Sequence, residues 1–220
     1  MRVVIAGGHG KIALLLERAL AGRGDAAVGL VRDPGHVADV RATGADAAVC
    51  DLERTTVDEL AAHLAGADAV VFAAGAGPGS GIPRKDTVDR AAAVLLADAA
   101  EAAGVRRYLQ VSAMGVDSAR QSGPDDVFGA YLVAKKAAED DLRARALDWT
   151  ILRPGRLTDG PPAGTVRLAR HVEPGAVTRA DVAAVLVALL DTPATAGQVL
   201  ELVGGDTPIA DAVATLKAAR

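Results

Sequence analysis

The fold is decided near the start of the chain, where residues 2–13 read R-V-V-I-A-G-G-H-G-K-I-A. A short apolar run enters a glycine turn and leaves as a helical pattern, so the stretch predicts strand, tight turn and helix. Such a turn leaves unpaired N–H groups at a helix N-terminus, where the helix dipole favours an anion such as a dinucleotide diphosphate. We expect Gly7 to turn the chain sharply, Gly10 to leave room for a phosphate, and Ala13 to let the helix approach the strand closely.

Short apolar runs and amphipathic helical patterns alternate along the rest of the chain. Helices are predicted between further strands near residues 26–31, 45–50, 69–73, 108–112 and 147–153. This alternation is typical of a Rossmann-type doubly wound parallel sheet, an α/β fold with helices on both faces. The chain is predicted to form one dinucleotide-binding domain over residues 1–220, in which residues 154–220 form a small cap on the substrate side.

Composition excludes several classes of function. The 24 basic residues are outnumbered by 28 acidic ones, so no basic surface for nucleic acid is expected. Cys50 is the only cysteine of the chain, which excludes a disulfide framework and a cysteine-based metal site, and its apolar neighbours predict a buried small residue. No apolar run reaches the roughly 18 residues that span a bilayer. We expect a cytoplasmic monomer or homodimer that acts on a small molecule, without a metal and without a membrane.

Arg32 follows the second predicted strand directly and bears on cofactor selectivity. In dinucleotide-binding folds an acidic residue at this point accepts from the ribose 2′-OH of NAD, whereas an arginine accommodates the 2′-phosphate of NADP. Asp33 is expected to turn into the bend that Pro34 enforces. The pattern favours NADP over NAD, and the alternative is that Arg32 is an ordinary solvated surface charge.

Two further strand ends face the same edge of the predicted sheet. Asp51 ends the third strand, and its carboxylate can either accept from the exocyclic amine of adenine or cap the turn that follows. The glycine-rich run over residues 74–81 follows the fourth strand. Because ligands bind at this edge of open parallel sheets, we interpret the run as a loop over the cofactor rather than as a linker between domains.

Tyr131 and Lys135 lie four residues apart on a predicted helix and therefore share one of its faces. A neighbouring ammonium stabilises a phenolate, which lowers the pKa of the tyrosine and eases proton transfer with a substrate oxygen. Ser112, at the end of the fifth strand, is positioned to hydrogen-bond the same oxygen. We therefore predict a catalytic set of Ser112, Tyr131 and Lys135, in which Lys135 also holds the ribose. The alternative is that the pair is an ordinary helix-surface pair.

Several motifs occur in one order along nearly the whole chain, namely A-G-G-H-G-K-I-A, V-R-D-P, C-D-L-E, V-V-F-A-A-G, R-R-Y-L-Q-V-S-A-M-G, Y-L-V-A-K-K-A-A-E and L-D-W-T-I-L-R-P-G-R-L-T. In this combination the chain resembles the atypical short-chain dehydrogenase/reductases. It is most similar to their small bacterial NAD(P)-binding group, which is related to NmrA-like proteins and to flavin and biliverdin reductases. The resemblance implies a Rossmann sheet that binds NADP(H), with the nicotinamide against residues 154–157.

On this basis, the cofactor is expected to contact Gly7, His9, Gly10, Lys11, Ile12, Arg32, Asp51, Leu52, Ala73, Ala74, Gly75, Val111, Lys135, Pro154, Gly155, Arg156 and Leu157. The expected activity is hydride transfer to or from a small carbonyl, quinone or flavin-like acceptor. Two other functions remain open: a dinucleotide-binding redox sensor without turnover, as implied by the NmrA-like relatives, and an NAD-dependent epimerase or dehydratase.

Overall fold

Short apolar strands form the centre of the molecule. A computed structural model describes residues 1–77, 79–120 and 125–216, and within them eleven strands are present. The first six follow the predicted alternation and are β1 (Arg2–Ala6), β2 (Ala26–Val31), β3 (Asp46–Val49), β4 (Ala69–Phe72), β5 (Arg107–Val111) and β6 (Asp148–Pro154). The later ones are β7 (Arg156–Thr158), β8 (Thr165–Ala169), β9 (Ala176–Thr178), β10 (Gln198–Gly204) and β11 (Thr207–Pro208).

Helices connect these strands. They are α1 (Lys11–Gly22), α2 (Val37–Arg41), α3 (Val57–Leu64), α4 (Gly81–Arg84), α5 (Ala92–Ala102), α6 (Val127–Arg143), α7 (Arg179–Leu190) and α8 (Ile209–Ala214). α3 begins with a capping box, because Thr56 Oγ1 accepts from the Glu59 N–H and the Glu59 carboxylate accepts from the Thr56 N–H. None of the helices in the described ranges combines the length and the apolar character needed to cross a membrane.

The first six strands lie side by side and parallel, in the order β3-β2-β1-β4-β5-β6. Along the chain, β2 and β3 are placed on one side of β1, and β4, β5 and β6 on the other, so the direction of strand placement reverses between β1 and β4. Such a reversal creates a crevice at the carboxyl ends of the strands, where doubly wound sheets bind their ligands. The predicted Rossmann-type fold is therefore confirmed.

Helices cover both faces of this sheet. On β1, Val3 and Ile5 belong to a hydrophobic cluster with α1 and α7, whereas Val4 and Ala6 belong to a cluster with α3, α5 and α6. β4 is buried at every residue, as expected for a strand covered on both sides. The core is largely aliphatic, as the composition predicts.

The segment after β6 contributes mostly to the same sheet. β10 lies parallel beside β6, β8 lies antiparallel beside β10, and β11 pairs with β8. Only β7 and β9 form a separate two-stranded sheet. Sequence patterns predict strands near residues 165–169 and 198–203, which are β8 and β10, but not β7, β9 or β11. The cap role expected for residues 154–220 stays a prediction.

The connection from β4 to α5 differs from the prediction. A single helix is predicted over residues 86–103, whereas α4 begins earlier and runs into a π-helical segment, Lys85–Ala91, before α5. A π-helical turn holds an extra residue and so changes the direction in which side chains leave the helix. Lys85 and Asp89 of this segment are buried. Of the glycine-rich run, residue 78 lies outside the described residues.

Candidate cofactor and substrate site

The glycine turn between β1 and α1 forms an open helix N-terminus at the switch point. Gly7 has a φ of +84°, and a Cβ there would lie 2.6 Å from the Ala74 Cα, so this position accepts glycine alone. The Gly10 N–H closes the turn onto the Gly7 carbonyl oxygen at 2.8 Å. Gly10 is the N-cap of α1, and no side chain caps the helix. The first N–H groups of α1 are thus left for an anion.

The turn also lies close to β2. A Cβ on Gly8 would come within 2.7 Å of the Gly29 Cα, so Gly8 also needs to lack a side chain. Beneath them the Glu17 carboxyl group is fully buried, and neither of its oxygens has a hydrogen-bond partner among the described residues. Burial raises the pKa of Glu17 to about 8.

At the end of β2, Arg32 and Asp33 have different environments. The Asp33 carboxylate accepts from the Gly35 N–H at 2.8 Å, so its predicted turn into the bend is confirmed. The half-exposed Arg32 donates from Nη1 to Glu53 Oε2 at 3.2 Å. Arg84 donates to the same Glu53 oxygen at 2.8 Å.

Asp51 takes part in a turn of its own after β3. Its Oδ1 accepts from the Glu53 N–H at 3.1 Å, whereas the N-cap of α3 is Thr56. Capping of the turn, one of the two open interpretations, is therefore observed. Asp51 also lines the crevice, so its contact with adenine stays a prediction.

A cleft follows the carboxyl ends of β1 to β4, and we call it the edge cleft. The predicted cofactor residues that line it are Gly7, His9, Gly10, Arg32, Asp51, Leu52, Ala73, Ala74 and Gly75. The predicted residues outside it are Lys11, Ile12, Val111, Lys135, Pro154, Gly155, Arg156 and Leu157. The structure thus brings the predicted residues of the glycine turn and of the ends of β2, β3 and β4 together in one cleft, and residues 154–157, predicted for the nicotinamide, do not line it.

Two residues of the glycine turn have contacts that the sequence did not predict. His9 Nε2 lies 2.8 Å from Asp39 Oδ2, and the His9 ring stacks on His36 at 3.6 Å between centroids. Lys11 Nζ pairs with Asp159 at 2.7 Å, which joins the start of α1 to the segment after β7. These surface contacts position the two side chains on the rim of the turn.

Lys135 is held by the loop after β4 instead of pointing to solvent. Its Nζ donates to the Ala74 and Val111 carbonyl oxygens at 3.3 and 3.2 Å and lies 3.4 Å from Asp89 Oδ1. The other Asp89 oxygen accepts from the Ala76 N–H at 3.3 Å. Both partners are almost fully buried. The pair therefore holds the Ala73–Ala76 stretch in place at the edge of the sheet.

Two lysine side chains lie near the ring of Tyr131. The Nζ atoms of Lys85 and Lys135 are 5.8 and 5.9 Å from the centroid of its ring. Burial and the negative charge of Asp89 nevertheless raise the pKa of Tyr131 to about 12. The predicted lowering of this pKa is wrong, because burial disfavours the charged phenolate and the negative charge of Asp89 adds to that effect.

The ends of β5 and β6 meet beside Lys135. The Ser112 N–H donates to the Leu152 carbonyl oxygen at 2.7 Å, and the Met114 N–H donates to that of Pro154 at 3.1 Å. The Ser112 hydroxyl is buried and has no partner within the described residues. A Cβ on Gly155 would lie 2.3 Å from the Gly175 carbonyl oxygen, so the chain after β6 passes close to the segment before β9.

A protein-family model described as NAD(P)H-binding matches residues 7–193. The chain belongs to this family. Among curated relatives, "uncharacterized sugar epimerase YhfK" of Bacillus subtilis is 35% identical over 217 residues, covering 98% of this chain and all of that protein.

Two solved structures of similar proteins extend the comparison. A putative NAD-dependent epimerase/dehydratase from Bacillus halodurans is 36% identical, with a TM-score of 0.91 over 98% of this chain and all of that one. ChuY, an anaerobilin reductase from Escherichia coli O157:H7, is 25% identical, with a TM-score of 0.79 over 94% of this chain and 98% of that one. The predicted likeness to atypical short-chain dehydrogenase/reductases fits these neighbours.

For this member of the NAD(P)H-binding family, sequence reasoning missed the polar residues of the connection after β4. Lys85, Asp89, Arg84 and Thr87 all lie on α4 or the π-helical segment, where a regular helical pattern does not indicate which side chains turn inward. Glu53 was present in the C-D-L-E motif but had no assigned role. Its position could have predicted a place at the cleft, since Glu53 follows Asp51 by only two residues after the same strand.

Proposed function

We propose that the protein is an NADP(H)-dependent oxidoreductase that transfers a hydride to a small carbonyl, quinone or flavin-like acceptor. The observation that supports it most directly is the uncapped N-terminus of α1 at the switch point, in a chain of the NAD(P)H-binding family. A dinucleotide diphosphate fits there, because Gly7 and Gly10 keep side chains out of the turn and the helix dipole favours negative charge. Arg32 would hold the 2′-phosphate, and the chain from Pro154 to Leu157 would face the nicotinamide.

In this proposal Tyr131 is the proton donor to the substrate. A phenol with a pKa of about 12 remains protonated throughout the neutral range, so it is able to donate a proton to an oxygen that gains negative charge. The cofactor supplies the hydride when bound. The Ser112 hydroxyl has no hydrogen-bond partner within residues 1–77, 79–120 and 125–216, and in this proposal it orients the acceptor oxygen. Lys135 acts by holding the loop after β4 and by its charge.

Tyr131→Phe tests the acid role. NADPH oxidation is measured across a panel of carbonyl, quinone and flavin acceptors, and the variant is expected to lower kcat by about 100-fold or more, because general acid catalysis contributes that much. Tyr108→Phe is the matched control, since the Tyr108 hydroxyl lies in the core and donates to the Ala93 carbonyl oxygen at 3.2 Å. Equal rates for the two variants would remove the role assigned to Tyr131.

A titration of NADPH against NADH tests the cofactor preference. Wild-type protein is expected to bind NADPH more tightly, and Arg32→Ala is expected to reduce that preference about tenfold, because the guanidinium pairs with the 2′-phosphate. Should the variant keep the full preference, Arg32 is not the residue that selects NADP.

A non-catalytic redox sensor is the second candidate. It is favoured by the Lys135 ammonium, which is already paired with Asp89 and with two carbonyl oxygens, and by the high pKa of Tyr131. This function predicts tight NADP(H) binding with no turnover on any acceptor of the panel.

Epimerase or dehydratase chemistry on a nucleotide sugar is the third candidate. It is favoured by the names of the similar Bacillus proteins. Against it, β8, β10 and β11 use much of the chain after β6 to extend the sheet, which leaves little for a nucleotide-sugar domain. Conversion of a nucleotide sugar without net NADPH oxidation would support it.

A further inference from the structure

Glu53 accepts three hydrogen bonds from two parts of the chain. Arg32 at the end of β2 donates at 3.2 Å, Arg84 of α4 at 2.8 Å, and the Thr87 hydroxyl of the π-helical segment at 2.6 Å. The end of β2 is distant in sequence from the continuous α4 and π-helical segment, and both reach Glu53 at the rim of the edge cleft. The rim therefore has a concentrated set of donors, with a single carboxylate at its centre.

The donor set is larger than one carboxylate requires. Two guanidinium groups and a hydroxyl match the oxygens and the double charge of a phosphate monoester, since arginine forms paired hydrogen bonds with phosphate. With Glu53 in place, one positive charge of the two arginines remains without compensation within this set. Hydrogen bonds from Arg84 and Thr87 lower the pKa of Glu53, so the carboxylate is ionised at neutral pH.

The group is also accessible from the cleft. Arg32, Glu53 and Arg84 line the same cleft as Gly7 and Asp51. The Arg32 side chain is 56% exposed and that of Arg84 is 34% exposed, so both are able to turn toward a ligand without disturbing the core.

We propose that Arg84 and Thr87 complete, with Arg32, a subsite for the 2′-phosphate of the cofactor, and that Glu53 occupies this subsite until the phosphate displaces it. Glu53 then sets the selectivity, because it weakens binding of a 2′-phosphate and leaves binding of an adenosine without one unchanged. The inference rests on the proposed use of NADP(H). It adds Glu53 as an anion that competes with the 2′-phosphate, and Arg84 and Thr87 as two further side chains that contact it.

Binding of two adenosine nucleotides to the intact protein, followed by calorimetry, tests the proposal without any turnover. The probes are adenosine 2′,5′-bisphosphate and 5′-AMP, which differ only in the 2′-phosphate. Glu53→Gln is expected to tighten binding of the bisphosphate about tenfold, and Arg84→Gln is expected to weaken it about tenfold. These changes correspond to the gain or loss of one charge-assisted contact to the phosphate. Neither substitution is expected to change the affinity for 5′-AMP.

Matched controls separate this local effect from the change in net charge. Asp58→Asn on the exposed face of α3 and Arg41→Gln on α2 make the same charge changes away from the subsite and are expected to alter the bisphosphate affinity by less than twofold. Arg84→Lys, which keeps the charge but not the paired geometry, is expected to fall between wild type and Arg84→Gln.

Each outcome is decisive. If Glu53→Gln leaves bisphosphate binding unchanged, or weakens binding of 5′-AMP because Glu53 contacts the ribose hydroxyl, the proposal is overturned. It is also overturned if Arg84→Gln behaves like Arg41→Gln. A third result is that wild type binds the two nucleotides equally, whereas Glu53→Gln prefers the bisphosphate. In that case the competition between Glu53 and phosphate is supported, and the proposed preference of the native protein for NADP is wrong.

Discussion

Glu17 lies under the glycine turn, and its carboxyl group has no hydrogen-bond partner in the part of the chain that the structure describes. The nearby Thr43 hydroxyl donates to the Val40 carbonyl oxygen at 2.7 Å and so is already engaged. Because burial holds the pKa of Glu17 at about 8, above its ordinary value of 4.5, the folded protein binds a proton here that the unfolded chain releases. Its contribution to stability is complete below about pH 4.5 and is lost as the pH rises through 8.

Glu17→Gln is expected to remove this dependence, because glutamine stays neutral. In the wild type the group lowers the free energy of unfolding by about 1.4 kcal/mol for each pH unit between 4.5 and 8. Urea unfolding at pH 5, 6.5 and 8 measures the difference. Asp58→Asn, at an exposed position, serves as the control. Parallel curves for wild type and Glu17→Gln would mean that Glu17 is paired or hydrated in solution.

β6 and α6 are joined by a buried ion pair. The Arg153 guanidinium donates to the Glu139 carboxylate at 2.6 and 2.9 Å, and it also donates to the more exposed Asp117. Glu139 is fully buried and Arg153 nearly so. Two charges held away from water in this way stabilise little as a pair, but either one alone is costly. The pair therefore fixes how α6, with Tyr131 and Lys135 on it, lies against the sheet.

Arg153→Met is expected to lower the free energy of unfolding by about 3 to 5 kcal/mol, because it leaves the Glu139 charge buried and unpaired. The double variant Arg153→Met/Glu139→Leu is expected to recover most of this loss. Arg106→Met is the control, since the Arg106–Asp148 pair is exposed to solvent and is expected to contribute little to stability. Urea unfolding measures all three, and a double variant as unstable as the single one would contradict the argument.

At the scale of the whole molecule, a ligand at the switch point contacts several strand ends and so stabilises the fold as a unit. NADPH at about 100 times its Kd is expected to add about 2.7 kcal/mol and to raise Tm by roughly 5 °C or more, given the size of the chain. Gly7→Ala is expected to abolish the shift, because its Cβ would meet Ala74 at 2.6 Å. Gly22→Ala, where nothing lies within 4 Å, is expected to keep it. An undiminished shift in Gly7→Ala would place the ligand elsewhere.

Local sequence patterns predicted the fold well because the first six strands are short apolar runs with a turn or a helix after each. The roles of Gly7 and Asp33 were also predictable from local sequence, since each residue acts within the backbone of its own turn. The pairing of Lys135 with Asp89 was not, because the two residues are 46 positions apart and meet through a π-helical segment that has no sequence period of its own. The donors around Glu53 were likewise hidden, as they meet only after folding.

The central sheet, large as it is, ends in short strands on both sides. Its outer strands are the four-residue β3 and the two-residue β11, and the latter contains Pro208, which has no N–H to donate. A second molecule that tried to add a strand at either edge would gain few backbone hydrogen bonds. The order of strands that creates the crevice thus also leaves little template for edge-to-edge aggregation.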